Sequence, residues 1–577
     1  MRLPIVKVPA LKQQVVNIFR GLDRRAEAAE GTWFQTENLT AENFPVLSTR
    51  APRGLGDTVE KPGGLVAKDA LAVVDGSRIV YNGYAVEMGL TEGVKQLVSM
   101  GAYLLIWPDK KWLNTEKLSE NGSMENSVET SGITTATLCR QDGSPYEGVI
   151  VAETAPENPG DGALWMDISG KTPGLYQYSE VTAAWSGIAT VYVKLEAAGI
   201  GVGFAAYDGV VVSGFTGDLE NLNGSHVLQA VEENAITVIG ILEGSGYTEA
   251  GKVTVKRTVP EMDYVTECGN RVWGCKYGIV GGKTVNEIYA CKLGDFKNWN
   301  CFQGLSTDSY AASRGSDGVF TGAITLQGCP LFFKEDCIEK VYPADSGAHQ
   351  IVTTECRGVQ RGCHRSLVIV DETVYYKSRV DVCAYGGSLP ISVSEALGQE
   401  RYSNARAGAE GSLYYISMQG EDGAWHLLAY DTQKKLWHRE DNTCAMMFAR
   451  KDGRLWWIDE EKKRLVCRTA EVGAEKEAAF LWMAESGMLG LDTVGQKYVS
   501  RFTVRAELEK GAEVEMWIQC ADGPWVRKVV YSTPGLRSFN IPVVARRCDH
   551  LRLKFRGKGG CRIYTVSKYL REGSERV

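Results

Sequence analysis

The side chains of this 577-residue chain that could do chemistry are six histidines, fifteen cysteines and a scatter of carboxylates. His226, His349, His364, His426, His438 and His550 form no i, i+4 pair and no HExxH, so no histidine-based metal centre is signalled. Cys268 and Cys275, like Cys356 and Cys363, stand seven apart with no CxxC. Most cysteines lie in apolar runs such as 289–291 and 464–467, where a thiol acts as a small buried hydrophobe. No metal and no cofactor is expected. A glycosidase needs two carboxylates flanking its scissile bond. The candidates Asp69, Asp75, Asp317, Asp371, Glu372 and Asp452 mostly sit in DG, DE or DK turn positions, where Asp bonds its own main chain. The string nearest to a sialidase Asp-box, SDGVF at Ser316, lacks the spacing and the tryptophan. GxSxG and Walker patterns are absent, and the glycine run GIGVGFAAYDG at 199–209 lacks a phosphate-binding Lys, so it reads as a bulged strand. The expectation is a protein that is not an enzyme.

Two basic stretches remain. One comprises Arg20, Arg24, Arg25, Arg50 and Arg53; the other comprises Arg546, Arg547, Arg552, Lys554, Arg556 and Lys558. In HLRLKFRGKG the cations alternate with apolar residues and share one strand face. Such a face is either simply solvated or lines a channel or docks an acidic neighbour; Arg50, Arg53, Arg546, Arg547, Arg552, Lys554 and Arg556 are the candidates for the second use.

The elements that must position these groups are strands. Hydrophobic residues make up 44%, charged residues 23%, and 64 glycines stand beside 17 prolines, which is the composition of a folded, turn-rich chain. The net charge of −7 provides no global basic field for nucleic acid or an anionic membrane. With Pro4 and Pro9 early, the N-terminus fits neither a signal peptide nor a spanning helix, and no run of about 18 apolar residues occurs. A cytoplasmic product is expected, unless it leaves in a particle. Leu11, Val15, Val16 and Phe19 recur near a 3.6 period and predict one helix before Gly21. Thereafter short segments rich in Val, Ile, Tyr and Trp alternate with turn dipeptides such as Asp75-Gly76 and Asp422-Gly423.

A loose repeat of about 25–45 residues brings in a small or apolar strand, turns, and leaves on a strand with two aromatics, as in YLLIWPDKKW and LWWIDEEKKRLVC. One four-stranded sheet cannot bury both faces alone, so such repeats stack as blades with aromatics in the wedges. The predicted fold is all-β: a β-propeller of about seven blades, with a small inserted β domain and a C-terminal antiparallel β-sandwich. The expected boundaries are 1–60 for the helix and an extended segment, 61–120 and 261–478 for the propeller, 121–260 for the insertion and 479–577 for the sandwich.

Several segments resemble phage structural proteins. FRGLDRRAEAAEGTWFQTENLTAENFPVLSTRAPRG resembles their opening segment. VWGCKYG, GDFKNW, STDSY, LFFKEDCIEKVYP and the run from CRGVQRG to LPISVS are similar to the propeller of phage tail nozzle, tail-hub and packaged-DNA stabilisation proteins. RRCDHLRLKFRGKGGCRIYTVSKYLREGSERV resembles their terminal sandwich. The resemblance implies a virion structural component of the tail or neck, made in the host bacterial cytoplasm and repeated in a ring, commonly sixfold, around the DNA channel. Its implied partners are itself, other tail or neck proteins and genomic DNA in non-specific contact, with no membrane. Trp107, Trp299, Trp437 and Trp457 would then hold blades together. The alternative is an adhesin that binds a glycan or host surface receptor through the insertion or the sandwich; a third reading is a propeller glycosidase.

Overall fold

The structure is a computed structural model that describes residues 11–25, 28–244, 246–490, 496–543 and 547–572. Seven four-stranded antiparallel sheets succeed one another in a β-propeller. Their innermost strands are Pro62–Ala67, Gln96–Met100, Tyr264–Glu267, Gly322–Leu326, Val368–Val370, Tyr402–Glu410 and Ala445–Lys451. Local chemistry builds each sheet. Between Ala445–Lys451 and Arg454–Asp459, for example, Asp452 and Gly453 take φ of 52° and 77°, the positive values that a two-residue hairpin turn requires. Ring closure is not local: the fourth strand of the last sheet is Gly54–Thr58, from ahead of the first blade, paired with Arg464–Cys467. Ala445–Lys451 then packs against Pro62–Ala67 and closes the circle.

The wedges between sheets hold the largest buried side chains, among them Trp273, Phe332, Tyr376, Tyr414 and Trp457. Each such ring removes about 150–250 Å² from water, roughly 4–6 kcal/mol at ~25 cal/mol per Å² before the entropy of ordering is set against it.

Between the second and third blades, residues 126–257 form three further sheets around their own core, which includes Leu138, Val193, Val212, Ile236 and Val255. Asn126–Glu129 and Thr254–Arg257 pair side by side, so the chain leaves and re-enters the propeller at one place. That neck is tied by Arg257 paired to Asp208, and by Asn298 of the third blade, which donates to Asp208 (2.8 Å) and accepts from the Gly209 amide (2.8 Å). The run at 199–209 is not a bulged strand. It is a series of turns with Gly199, Gly203 and Tyr207 at positive φ, and a Cβ on Gly201 would lie 1.9 Å from the Glu232 carbonyl oxygen.

The terminal sandwich packs one sheet built on Lys497–Leu508 and Cys561–Glu572 against another built on Glu513–Cys520 and Leu551–Lys558, around Trp482, Phe502, Met516, Leu553 and Phe555. Its sheets also take in N-terminal strands, which corrects the predicted helix. Lys12–Val16 is a strand paired with Cys561–Glu572, from Lys12 opposite Leu570 to Val16 opposite Val566. Only Phe19 of the predicted apolar stripe is fully buried, while Leu11 and Val15 face solvent. An isolated helix of two turns is marginal in water, whereas the open edge of Cys561–Glu572 offers a full row of hydrogen bonds.

Candidate functional site

The inserted sheet Val149–Ala152, Leu164–Asp167, Gly174–Ser179 and Ala184–Gly187 presents two unlike faces. Strand alternation turns Met166 and Leu175 into the core of the insertion and buries Leu164 on the same face. The opposite face carries Trp165, Tyr176, Tyr178 and Trp185, brought together by cross-strand pairing of Trp165 with Tyr176 and of Tyr178 with Trp185. Trp165 stacks on Tyr176 with centroids 5.2 Å apart and meets Trp185 edge-on at 5.6 Å; Tyr178 and Trp185 are 5.4 Å apart. Trp165 is the floor, 9% exposed, its Nε1 donating to the Ala152 carbonyl (3.0 Å), and the other three rings are half-buried.

Two glycines keep this face open. A Cβ at Gly174 would stand 3.0 Å from the Tyr176 ring and one at Gly187 would stand 3.6 Å from it, so either side chain would cover the ring. Ile150, opposite Trp165 and 45% exposed, extends the apolar rim. Half-buried rings beside phenol hydroxyls suit the C–H face of a pyranose, with its hydroxyls at the edge. None of these four aromatics is among the sequence candidates; the signal they carry is their alternation within one short stretch of LWMD, GLYQYS and AWSG.

The basic candidates divide. Arg50 and Arg53 are not on a channel or an outer surface but internal, 6% and 4% exposed. Arg53 pairs with Glu440 (2.5 Å) and Asp441 (2.7 Å) and lies over Trp457; Arg50 pairs with Glu477 and lies 4.0 Å over Phe480. Burial alone would raise the Asp441 carboxyl, but the Arg53 charge outweighs it and holds Asp441 well below the usual carboxylate range. Arg546 lies outside the described residues, and Arg547 is exposed beside Tyr498. Arg552 and Lys554 share Glu485 on the outer face of the sandwich, where Lys554 lies 4.1 Å over Trp525; Arg556 is exposed on the same strand.

All four singled-out tryptophans are buried. Trp107 and Trp299 meet edge-on at 6.5 Å between the second and third blades. Trp437 donates to the Val393 carbonyl (2.7 Å), and Trp457 packs on Phe448.

Asp371, Glu372 and Asp452 occupy turns at positive φ, and Asp75 is held by the Lys61 amide (2.7 Å) and Arg78 (2.9 Å). None of the six carboxylates weighed in the sequence lines the propeller's axial cavity, a space of about 470 Å³. All fifteen cysteines are unpaired, and among the described residues no three His, Cys, Asp or Glu side chains converge as metal ligands would.

No protein-family model and no curated protein matches the sequence. Among solved structures, the chain is similar to the exo-β-1,3-galactanase of Phanerochaete chrysosporium, at 7% identity over 53% of this chain and 95% of that one, with a TM-score of 0.22. It is also similar to a glycoside hydrolase family 43 arabinoxylan arabinofuranohydrolase of Bacillus subtilis, at 9% identity over 54% and 95%, TM-score 0.18. A third is a puromycin hydrolase, at 9% identity over 71% and 61%, TM-score 0.22. These structures are hydrolases, two of them carbohydrate-active, and not phage proteins, so the comparisons lend no support to the expected virion structural role or to the expectation that the chain is not an enzyme. At such TM-scores they transfer no residue, substrate or activity to this chain.

Proposed function

We propose that the protein binds glycans through the aromatic face of its inserted sheet. The observation that carries this reading is the group Trp165, Tyr176, Tyr178 and Trp185, four contacting rings on a face that the core of the insertion does not need. The opposite face already closes that core with Met166 and Leu175. A contiguous apolar patch left open on a folded domain marks an interaction site. Edge-set rings backed by glycine favour a flat, C–H-rich ligand such as a sugar ring over a bulky aliphatic one. A glycan array on the intact protein tests it, followed by titration of the strongest hit. Trp185→Ala and Tyr176→Ala should each weaken that hit tenfold or more with the fold intact by circular dichroism. An array without hits, or an unchanged affinity in both variants, overturns the reading.

A further inference from the structure

The axial cavity of the propeller is lined by inner strands of six of its seven sheets, and its charged lining is all of one sign: Lys95, Arg365, Arg406 and Arg450. Three of these cations differ in how they are neutralised. Lys95 is fully paired with Asp109 (2.6 Å), both side chains almost wholly buried. Arg406 pairs with Glu460 (2.9 Å), lies 3.3 Å from the Cys444 sulfur and rests over Trp425. Among the described residues Arg365 has no carboxylate within ion-pair reach, and the hydrogen bond it makes there runs to the Met446 carbonyl (3.2 Å). A guanidinium carries five donors, so most of its hydrogen-bonding capacity faces nothing in the protein. Beside it His364, tilted against Tyr264 with ring centroids 5.1 Å apart, buries its Nδ1 without a hydrogen-bond partner among the described residues.

Burial lowers Arg365 to about 10, with Arg406 adding to the shift and Glu460 opposing it, and lowers His364 to about 4, with Arg365 and Arg406 adding to it, so at neutral pH the imidazole is uncharged and the guanidinium is charged. Arg365 is partly exposed, so its unpaired donors face the cavity it lines and are accessible to a ligand's acceptor atoms.

We infer that the axial cavity binds the carboxylate of a small organic acid, with Arg365 as the bidentate anchor and Arg406 as the second positive charge. The planar two-oxygen group matches one edge of a guanidinium. The remaining lining, including Leu65, Leu97, Val265, Leu367 and Phe448, is apolar and suits the body of a ligand of monosaccharide size in about 470 Å³. This site is separate from the aromatic face of the insertion and does not depend on it.

The test is isothermal titration of the full chain with glucuronate, acetate, sulfate and glucose, in wild type, Arg365→Gln and Arg406→Gln. Glucuronate should bind, glucose should not, and Arg365→Gln should weaken glucuronate at least tenfold while leaving the melting temperature of the free protein unchanged or higher. Acetate binding nearly as well as glucuronate would support a site that reads the carboxylate alone. Arg406→Gln should weaken binding less and serves as the second probe should Arg365→Gln misfold. Sulfate binding as tightly as acetate, no binding by either carboxylate, or full affinity in both variants would overturn the inference. Trp185→Ala should leave this titration unchanged.

Discussion

The inserted sheet and the blades of the propeller use the same residue types for opposite ends. In the blades, Tyr376, Tyr414 and Trp457 are fully buried because each sheet has a neighbour on both faces. In the inserted sheet, Tyr176, Tyr178 and Trp185 stay half-exposed because only one face has a partner. An aromatic on an alternating strand is thus structural or available according to what lies opposite it, and the residue type alone does not decide which.

The largest effects should fall on the blade side of this comparison. Trp457→Ala should cost about 3–5 kcal/mol as a large cavity in a wedge that cannot collapse, read by chemical denaturation. Trp185→Ala should cost less than about 1 kcal/mol by the same measurement, since its ring already meets water; equal losses in the two variants would erase the distinction between the regions.

Charge draws the same contrast between interior and surface. Arg53→Met takes the shortest cation contact from buried Glu440, which keeps only the longer Arg50 contact (3.8 Å) and the Tyr415 hydroxyl, and strips Asp441 of its cation, and should cost about 3–5 kcal/mol at neutral pH. The contribution of Asp441 is present above its ordinary pKa of 3.8 and is lost as pH falls below that value, so the variant should also flatten the acid limb of the stability curve. Arg556→Ala, on the exposed face of the sandwich, should shift stability by no more than about 0.5 kcal/mol.

A smaller pH effect belongs to His438, which is 4% exposed with neither ring nitrogen hydrogen-bonded. Burial lowers it from 6.5 to about 4 although Glu440 and Asp431 pull the other way. The unfolded chain therefore takes up this proton first, so stability is fully present above about pH 6.5 and falls as pH drops towards 4. His438→Leu should reduce that slope in melting temperatures measured from pH 7 to 4, and an unchanged slope would locate the titration elsewhere.

The strand alternation, the hairpin dipeptides and the repeat of aromatic exit strands are short-range patterns, and they made the propeller and the terminal sandwich legible as an all-β chain. The local turn at Asp452-Gly453 follows from residues that supply positive φ at little cost. Partner choice lay outside any such window. Gly54–Thr58 completes a sheet with Arg464–Cys467, and Arg53 finds Asp441 across 388 positions, so the same arginine that reads as a surface cation becomes an internal clamp. Lys12–Val16 looked helical by period and became a strand because the edge of Cys561–Glu572 was there to receive it. Period, turn and composition are readable without the fold because neighbours along the chain set them. The tertiary structure alone decided which faces are covered and which charges are compensated, because burial and ion pairing depend on groups that only folding brings together.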